Sequence, residues 1–202
     1  MKTAYIFGAG GHVRVILSMI RKKYDSVKLI DILASEGDTI NEDEFFENLD
    51  ERAKGDYFLG FGSNRVRIKL YNRLISLGIT PSNCIADNVF IADDAEIGNG
   101  VVICPGCVIG SKAVIGNNTI VNTLSSVDHD CRLGNHSQIT AGVTLGGGTV
   151  IGENCFIGIK SATVPGIVIG DNSVVMAGSM VYKNVPDNVM VGGNPARIMK
   201  NL

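Results

Sequence analysis

The chain has 202 residues, of which 45% are hydrophobic and 19% charged, and its mean hydropathy is +0.22. This composition excludes intrinsic disorder, and a net charge of −2 gives no basic surface of the kind that binds nucleic acid. We find no apolar run long enough to span a membrane and no targeting segment, so we expect no membrane association. The five scattered cysteines predict reduced thiols and a cytoplasmic protein.

Charged residues divide the chain into two parts. Residues 1–84 contain 12 Lys or Arg and 11 Asp or Glu, whereas the longer segment 85–202 contains only 6 and 9. The composition changes near Pro81, and we place the domain boundary between residues 84 and 85.

The first part alternates short apolar strands with helical segments, which is typical of a small Rossmann-like α/β domain with a parallel sheet. The predicted strands are residues 3–7, 27–32 and 57–61, and the predicted helices are residues 13–23 and 65–77. An acidic segment follows the second strand, and we expect residues 43–49 to form a short solvated helix with no assigned function. A parallel sheet of this kind places its binding site at the carboxyl ends of the strands.

A glycine-rich loop, Gly8-Ala9-Gly10-Gly11-His12, follows the first strand. It begins like a dinucleotide-binding loop, but the third glycine of that motif would fall at Val13, so the full nicotinamide fingerprint is missing. The loop still places backbone N–H groups at a helix start, which suits a phosphate. The alternative to a phosphate-binding loop is a tight turn that only connects the strand to the helix.

The second part repeats with a strict period of six. Every sixth residue from Ile85 to Val181 is Ile, Val or Leu at 16 of 17 positions, Thr163 being the exception. The residue that follows this repeated position is Gly in 8 of the 17 repeats. Neither an amphipathic helix nor a heptad has this period, and it is typical of a parallel β-helix built from hexapeptides.

In known hexapeptide proteins three repeats make one left-handed coil, so residues 18 apart stack about 4.8 Å apart. One column of turns is irregular in sequence. In it Asp128-His129-Asp130 stacks on Gly146-Gly147-Gly148, so His129 lies beside Gly147. An imidazole that takes a proton needs a carboxylate to orient it, and either Asp128 or Asp130 could do this. A glycine beside it lets a ligand approach and offers an N–H to a developing oxyanion. The alternative to a proton-accepting His129 is a surface histidine whose acidic neighbours are merely solvated.

Other motifs favour structure over chemistry. His136 occupies a turn position that is otherwise Asn or Gly, and we interpret it as a turn residue. Cys104 and Cys107 form a C-x-x-C motif with no second pair nearby, so we expect no metal. A zinc-binding β-helix enzyme would need three convergent histidines, and His12, His129 and His136 fall in different places.

These motifs together resemble the NeuD/PglD-type family of two-domain hexapeptide acyltransferases. This family includes sialic acid O-acetyltransferases and N-acetyltransferases of UDP- or GDP-linked amino sugars. The likeness covers nearly the whole chain. It is carried by Gly10-Gly11-His12, by Gly62-Ser63-Asn64 with Arg67, by the segment from Ser126 to Cys131, and by the terminal Val191-Gly192-Gly193-Asn194-Pro195-Ala196-Arg197.

The resemblance implies a homotrimer with acetyl-CoA between neighbouring β-helices and no metal. Carried over by position, His129 is the general base and Asp130 raises its basicity. The cofactor-binding positions are Gln138, Gly147, Ile159 and Ala177. The positions that hold the nucleotide of the substrate in residues 1–84 are Gly10, Gly11, His12, Asp31 and Gly62.

The chain departs from the family pattern at three positions. Gln138 stands where the family often has a cofactor-binding histidine, and Val13 replaces the last glycine of a Gly-Gly-His-Gly loop. Asp31 is followed by Ile32 where an acidic pair is common. The last two changes fall in the sugar-nucleotide site.

The sequence therefore predicts an acetyl-CoA-dependent N-acetyltransferase of a nucleotide-linked amino sugar, acting by direct attack. An O-acetyltransferase of sialic acid or a related sugar needs the same base and is the first alternative. A non-catalytic scaffold that binds nucleotide-sugar is the alternative from another class. A nicotinamide-dependent enzyme is disfavoured by Val13.

Overall fold

The structure is a computed structural model that describes residues 2–8, 10–31, 39–48 and 55–202. The chain forms two compact units, Met1–Cys84 and Ile85–Leu202. The predicted fold class is confirmed, because a small parallel sheet with helices is followed by a parallel β-solenoid. Within the described ranges, no helix has the length and apolarity to cross a bilayer.

The sheet of the first unit has four parallel strands in the order β3-β2-β1-β4. Their bounds are Thr3–Phe7 for β1, Ser26–Asp31 for β2, Thr39–Asn41 for β3 and Asp56–Leu59 for β4. The short β3 was not predicted. The strand order reverses between β1 and β4, and in open α/β sheets this switch point, at the carboxyl ends of the strands, is where ligands bind.

Three helices of this unit lie within the described residues, and a 3₁₀ turn at Arg21–Lys23 extends the first. Their bounds are Gly11–Ile20 for α1, Glu42–Glu47 for α2 and Asn64–Ser76 for α3. The helix α1 begins two residues before the predicted start, because Gly11 and His12 continue the helix instead of forming a turn. The strand β4 ends two residues early, because the chain turns at Gly60 once its N–H has bonded to the carbonyl of Phe7. The parts of the predictions that concern Ala9, Ile32 and Leu49 lie outside the described residues.

The acidic helix α2 is anchored rather than merely solvated. Its Phe45 side chain is completely buried and meets the Phe7 ring edge-on at 5.2 Å. Asp43, Glu44 and Glu47 are exposed on the other side of α2, so the helix is amphipathic and covers one face of the sheet.

The second unit winds through short strands that stack on one another in three faces. The strands have two residues and pair in parallel, except for the last two of the chain, which are longer and pair antiparallel to each other. The first face contains Cys84–Ile85, Val102–Ile103, Ile120–Val121, Gln138–Ile139, Phe156–Ile157, Val174–Val175, Val189–Gly193 and Ala196–Asn201 (β5, β8, β11, β14, β17, β20, β22 and β23). The second contains Phe90–Ile91, Val108–Ile109, Ser126–Val127, Thr144–Leu145, Ala162–Thr163 and Met180–Val181 (β6, β9, β12, β15, β18 and β21). The third contains Glu96–Ile97, Val114–Ile115, Arg132–Leu133, Val150–Ile151 and Val168–Ile169 (β7, β10, β13, β16 and β19).

The residues of the six-residue repeat point into the solenoid and form its core. Val127 and Leu145 pair across neighbouring coils and are at most 1% exposed, which matches the predicted spacing of 18. Polar atoms at the inner corners are satisfied between coils. Ser137, for example, donates its hydroxyl to the carbonyl of Gly152 at 2.7 Å and accepts from the Cys155 N–H at 2.9 Å. All five cysteines are free and buried.

Thr163, the exception to the repeat, also points inward and is 5% exposed. Its hydroxyl lies 2.9 Å from the hydroxyl of Thr149 and accepts the N–H of Gly146 at 3.1 Å. Two coils earlier, the equivalent N–H of Gly110 donates to the backbone carbonyl of Val127 instead. The break in the repeat therefore places a polar pair beneath the turn that begins at Gly146.

Candidate active site

His129 lies in the turn that leaves the second face, directly after β12. Its Nδ1 lies 2.8 Å from a carboxylate oxygen of Asp130. Asp130 has a φ of +59°, a left-handed conformation that Asp tolerates better than most residues. Since Nδ1 is held by an acid, the structure leaves Nε2 as the atom that can take a proton from a substrate.

The two acids beside His129 contact different atoms. Asp128 accepts the backbone N–H of His129 at 2.7 Å, whereas Asp130 contacts the ring. The hydrogen bond to Asp130 is the main cause that raises the pKa of His129 above its ordinary value, and the charge of Asp128 adds to it. The imidazole is exposed, so water weakens both effects.

Gly147 lies under the ring of His129, in the next coil. A Cβ atom at Gly147 would lie only 2.5 Å from Nε2, so only glycine leaves room for the ring. The carbonyl of His129 accepts the N–H of Gly148 at 2.8 Å, which ties the two turns together. Among the described residues, no acceptor bonds to the N–H of Gly147, and that N–H can therefore serve a ligand.

The side chains nearest to His129 in sequence and register are not set up as nucleophiles. The Ser111 hydroxyl, one coil away, donates to Asp94 at 2.7 Å. The Cys131 thiol points inward toward the carbonyl of Gly146 at 3.4 Å, and burial raises its pKa. A proton acceptor beside a free N–H, without a nucleophile, favours direct transfer of an acyl group.

The predicted cofactor positions do not all lie at this corner. Ile159 and Ala177 are exposed at the corner between the first and second faces, where they line a groove of about 410 Å³. Gln138 lies on the first face opposite Phe156, is 8% exposed, and its Oε1 has no hydrogen-bond partner among the described residues. Of the predicted catalytic and cofactor positions, His129, Asp130 and Gly147 therefore lie together at one corner of a single chain, whereas Ile159 and Ala177 line another.

The remaining motifs of this unit behave as structural elements. His136 has a φ of +65° and its Nδ1 lies 2.8 Å from the amide nitrogen of Asn118. Cys104 and Cys107 are buried, and burial raises the pKa of Cys104 to about 11. No group of three metal-binding side chains occurs in the part of the chain that the structure describes.

The five predicted nucleotide-binding positions of the first unit share one edge of its sheet. Gly10, Gly11 and His12 follow β1, Gly62 follows β4, and Asp31 ends β2. The helices α1 and α3 begin here without side-chain caps, so their first N–H groups point toward this edge. This arrangement suits an anionic ligand at the switch point.

His12 and Arg67 form the floor of this edge. Arg67 is fully buried and donates to the carbonyl of Phe61 at 3.2 Å and to the Asn64 side chain at 3.0 Å. Burial and then the charge of Arg67 lower the pKa of His12 to about 4, so His12 is neutral at pH 7. Its Nε2 is buried with no partner among the described residues. The sequence alone gives Arg67 no role, because only the fold buries it beside His12.

Comparisons with known proteins agree with both units. The family model described as the PglD N-terminal domain matches residues 3–74, and the one described as the hexapeptide repeat of succinyl-transferase matches residues 148–183. No curated protein sequence matches the chain significantly.

Two solved structures align over nearly the whole length. One is a variant of GDP-perosamine N-acetyltransferase from Caulobacter crescentus in complex with CoA and GDP-perosamine. It is 30% identical, covers 100% of this chain and 98% of that chain, and has a TM-score of 0.94. The other is the acetyltransferase domain of PglB from Neisseria gonorrhoeae in complex with acetyl coenzyme A, which is 27% identical. It covers 98% and 99% of the two chains, with a TM-score of 0.93. The chain therefore belongs to the NeuD/PglD-type family of hexapeptide sugar acyltransferases.

Proposed function

We propose that the protein transfers the acetyl group of acetyl-CoA to the amine of a nucleotide-linked amino sugar. The observation that carries this proposal is the stacking of the His129 ring on Gly147, with Asp130 on Nδ1 and a free N–H at Gly147. The similar proteins from Caulobacter crescentus and Neisseria gonorrhoeae, whose structures hold CoA with GDP-perosamine or acetyl coenzyme A, support the same chemistry.

In the proposed reaction the amine nitrogen attacks the carbonyl carbon of the thioester directly. Nε2 of His129 takes the amine proton as the tetrahedral intermediate forms or collapses, and Asp130 stabilises the resulting imidazolium. The N–H of Gly147 donates to the oxyanion. The carbon–sulfur bond then breaks and the imidazolium of His129 gives its proton to the leaving sulfur, which leaves an amide, the thiol of CoA and a neutral His129.

The first unit, residues 1–84, would bind the nucleotide of the acceptor, and residues 85–202 would bind acetyl-CoA and carry the catalysis. Gly10, Gly11, His12, Asp31 and Gly62 would surround the nucleotide. The uncapped helix starts favour the phosphates of that ligand, because their first N–H groups point to it.

A homotrimer would complete the cofactor site. Ile159 and Ala177 lie at a different corner from His129, so acetyl-CoA would reach both sets only between neighbouring copies. Gln138 would keep one hydrogen bond to the cofactor through its amide. The five free thiols fit a reducing compartment, and we place the protein in the cytoplasm.

Mass spectrometry of the products tests the proposal. We would incubate the protein with acetyl-CoA and a panel of UDP-, GDP- and CMP-linked amino sugars and sialic acids. We expect one acetyl group on an amino sugar, and a loss of about 10²–10⁴-fold in rate in His129→Ala. His136→Asn is the matched control, since Asn can still bond to Asn118.

Each other outcome points elsewhere. Acetylation of a sialic acid hydroxyl would favour the O-acetyltransferase alternative. No acetylated product, together with no effect of acetyl-CoA on the melting temperature, would favour a nucleotide-sugar-binding scaffold. An unchanged rate in His129→Ala would refute the role of the base.

A further inference from the structure

A second pocket in the first unit was not foreseen from the sequence. Its volume is about 240 Å³, and it lies between the start of α2 and the outer surface of α3. It is lined by Glu42, Phe61, Val66, Lys69, Leu70 and Arg73. None of these residues was assigned a role in the proposed function.

This pocket opens at the carboxyl edge of the sheet. Glu42 directly follows β3, and Phe61 lies two residues beyond the end of β4 with its ring against Gly8. Burial is the main cause that raises the pKa of Glu42, and the charges of Asp43 and then Asp31 add to it, so the Asp31 carboxylate lies near that of Glu42. The pocket is therefore adjacent to the residues proposed to hold the nucleotide.

The walls of the pocket suit a flat ring. Phe61 offers an aromatic face, and Val66 and Leu70 on α3 offer aliphatic surface. Val66 is 38% exposed although it is apolar. A heteroaromatic base that stacks on Phe61 would cover this apolar surface.

At the rim of the pocket, Glu42 and Arg73 form a directed pair. Nη1 of Arg73 donates to Oε1 of Glu42 at 3.0 Å, and the Glu42 side chain is only 17% exposed. The guanidinium is also held 3.7 Å from the centre of the Phe46 ring, which fixes its plane. Neither the second carboxylate oxygen nor the second amino group has another hydrogen bond among the described residues. The pair thus presents an acceptor beside a donor.

The Watson–Crick edge of guanine has hydrogen-bonding groups that complement the Glu42–Arg73 pair. Its O6 accepts a hydrogen bond, while N1–H and N2–H₂ are adjacent donors that a carboxylate can accept together. Uracil and thymine place a carbonyl on both sides of their single N–H, so one carbonyl would face the carboxylate. Adenine and cytosine each offer only one donor group on this edge.

We propose that this pocket receives the nucleobase of the substrate and that the Glu42–Arg73 pair selects guanine. The inference rests on the proposed function in one respect, namely that the acceptor carries a nucleotide. It makes the acceptor a GDP-linked amino sugar and gives Glu42 and Arg73 a role in specificity.

Nucleotide binding by the full chain tests the inference without any acetyl transfer. Isothermal titration with GDP, IDP, UDP, dTDP, ADP and CDP would give the dissociation constants. Because hydrogen bonds to a charged group are stronger than neutral ones, we expect GDP to bind about 10- to 100-fold more tightly than UDP. IDP, which lacks the 2-amino group, should fall between them, and this comparison needs no variant.

The variant Glu42→Gln should weaken GDP binding to the level of UDP and leave UDP binding unchanged. Glu47→Gln, at the exposed end of the same helix, is the matched control and should keep the preference for GDP. Binding of UDP, dTDP, ADP or CDP as tight as that of GDP would overturn the inference, and so would no GDP binding. An unchanged GDP-to-UDP ratio in a folded Glu42→Gln variant would overturn it as well.

These results separate the inference from the proposed function. Tight, Glu42-dependent GDP binding without any acetylated product would leave the pocket assignment standing and refute the enzyme activity. Acetylation of a UDP-linked amino sugar by a protein that does not prefer GDP would support the enzyme activity and refute the pocket assignment.

Discussion

The substitution Gly147→Ala tests the geometry of the proposed catalytic corner directly. A Cβ atom at this position would lie 2.5 Å from Nε2, 2.6 Å from Cε1 and 3.1 Å from Cδ2 of His129. The φ angle of Gly147 is not in the left-handed region, so the backbone itself accepts alanine. The methyl group must therefore displace the imidazole rather than the turn.

The size of the effect follows from these distances. An ordinary carbon–nitrogen contact is no shorter than about 3.4 Å, so the ring must retreat by about 1 Å, and a misplacement of this size costs about 10²-fold in rate. The same movement strains the 2.8 Å contact between Nδ1 and Asp130. We expect kcat to fall about 10²-fold while the melting temperature stays close to that of the parent protein.

Steady-state kinetics with acetyl-CoA and thermal unfolding would measure both quantities, and NMR titration of the imidazole would follow its pKa. The matched control is Gly166→Ala, because Gly166 has a φ of +73° and open space around its Cβ direction. This control should lose about 1 kcal/mol of stability and keep its kcat, the opposite result. A Gly147→Ala enzyme with the parental kcat and an unmoved imidazole pKa would refute the reasoning.

Three further substitutions have expected outcomes. His129 must be neutral to accept a proton, so the rate should fall as the pH drops through its raised pKa. Asp130→Asn removes the main cause of that raised pKa. This variant should therefore move the acidic limb of the kcat–pH profile to lower pH and lower the plateau of kcat. An unmoved limb in a kcat–pH profile would contradict this. Gly60→Ala places a Cβ atom 2.5 Å from Cγ2 of Val13, and urea unfolding should show a loss of about 1–3 kcal/mol from overpacking. Thr163→Val restores the repeat but leaves the N–H of Gly146 without its hydroxyl, so calorimetry should show a loss of about 1–3 kcal/mol, whereas outward-facing Thr144→Val should be neutral.

The architecture of the second unit could be predicted because one physical rule repeats in every coil. Each short strand buries one side chain inward, so the period of six is a direct record of the backbone path. The three-residue strand β3 follows no such rule, and its pairing with β2 depends on tertiary contacts. The start of α1 was missed for a related reason, because glycines at a helix start look like a turn.

The geometry of the proposed catalytic corner could be predicted in part from the sequence. The spacing of 18 residues placed His129 beside Gly147, but it left Asp128 and Asp130 equivalent, since both flank the histidine. A backbone angle decides between them, because the left-handed conformation of Asp130 turns its carboxylate onto Nδ1. Glu42 and Arg73 could not be found at all, because they are 31 residues apart and no local pattern connects them.

In the proposed function the second unit carries the catalysis and the first unit selects the acceptor, and the structure of each unit suits its role. The N–H of Gly148 donates to the carbonyl of His129 at 2.8 Å, and the N–H of Gly166 donates to the carbonyl of Gly147 at 2.9 Å. These bonds belong to the regular ladder of the solenoid, so His129 and Gly147, the proposed base and oxyanion donor, are held in place before any substrate binds. In the proposed mechanism such a corner would act on any amine or hydroxyl that reaches it. Selection of the acceptor then falls to the first unit, where a change at Glu42 should alter KM and acceptor choice but not the pH at which His129 loses activity.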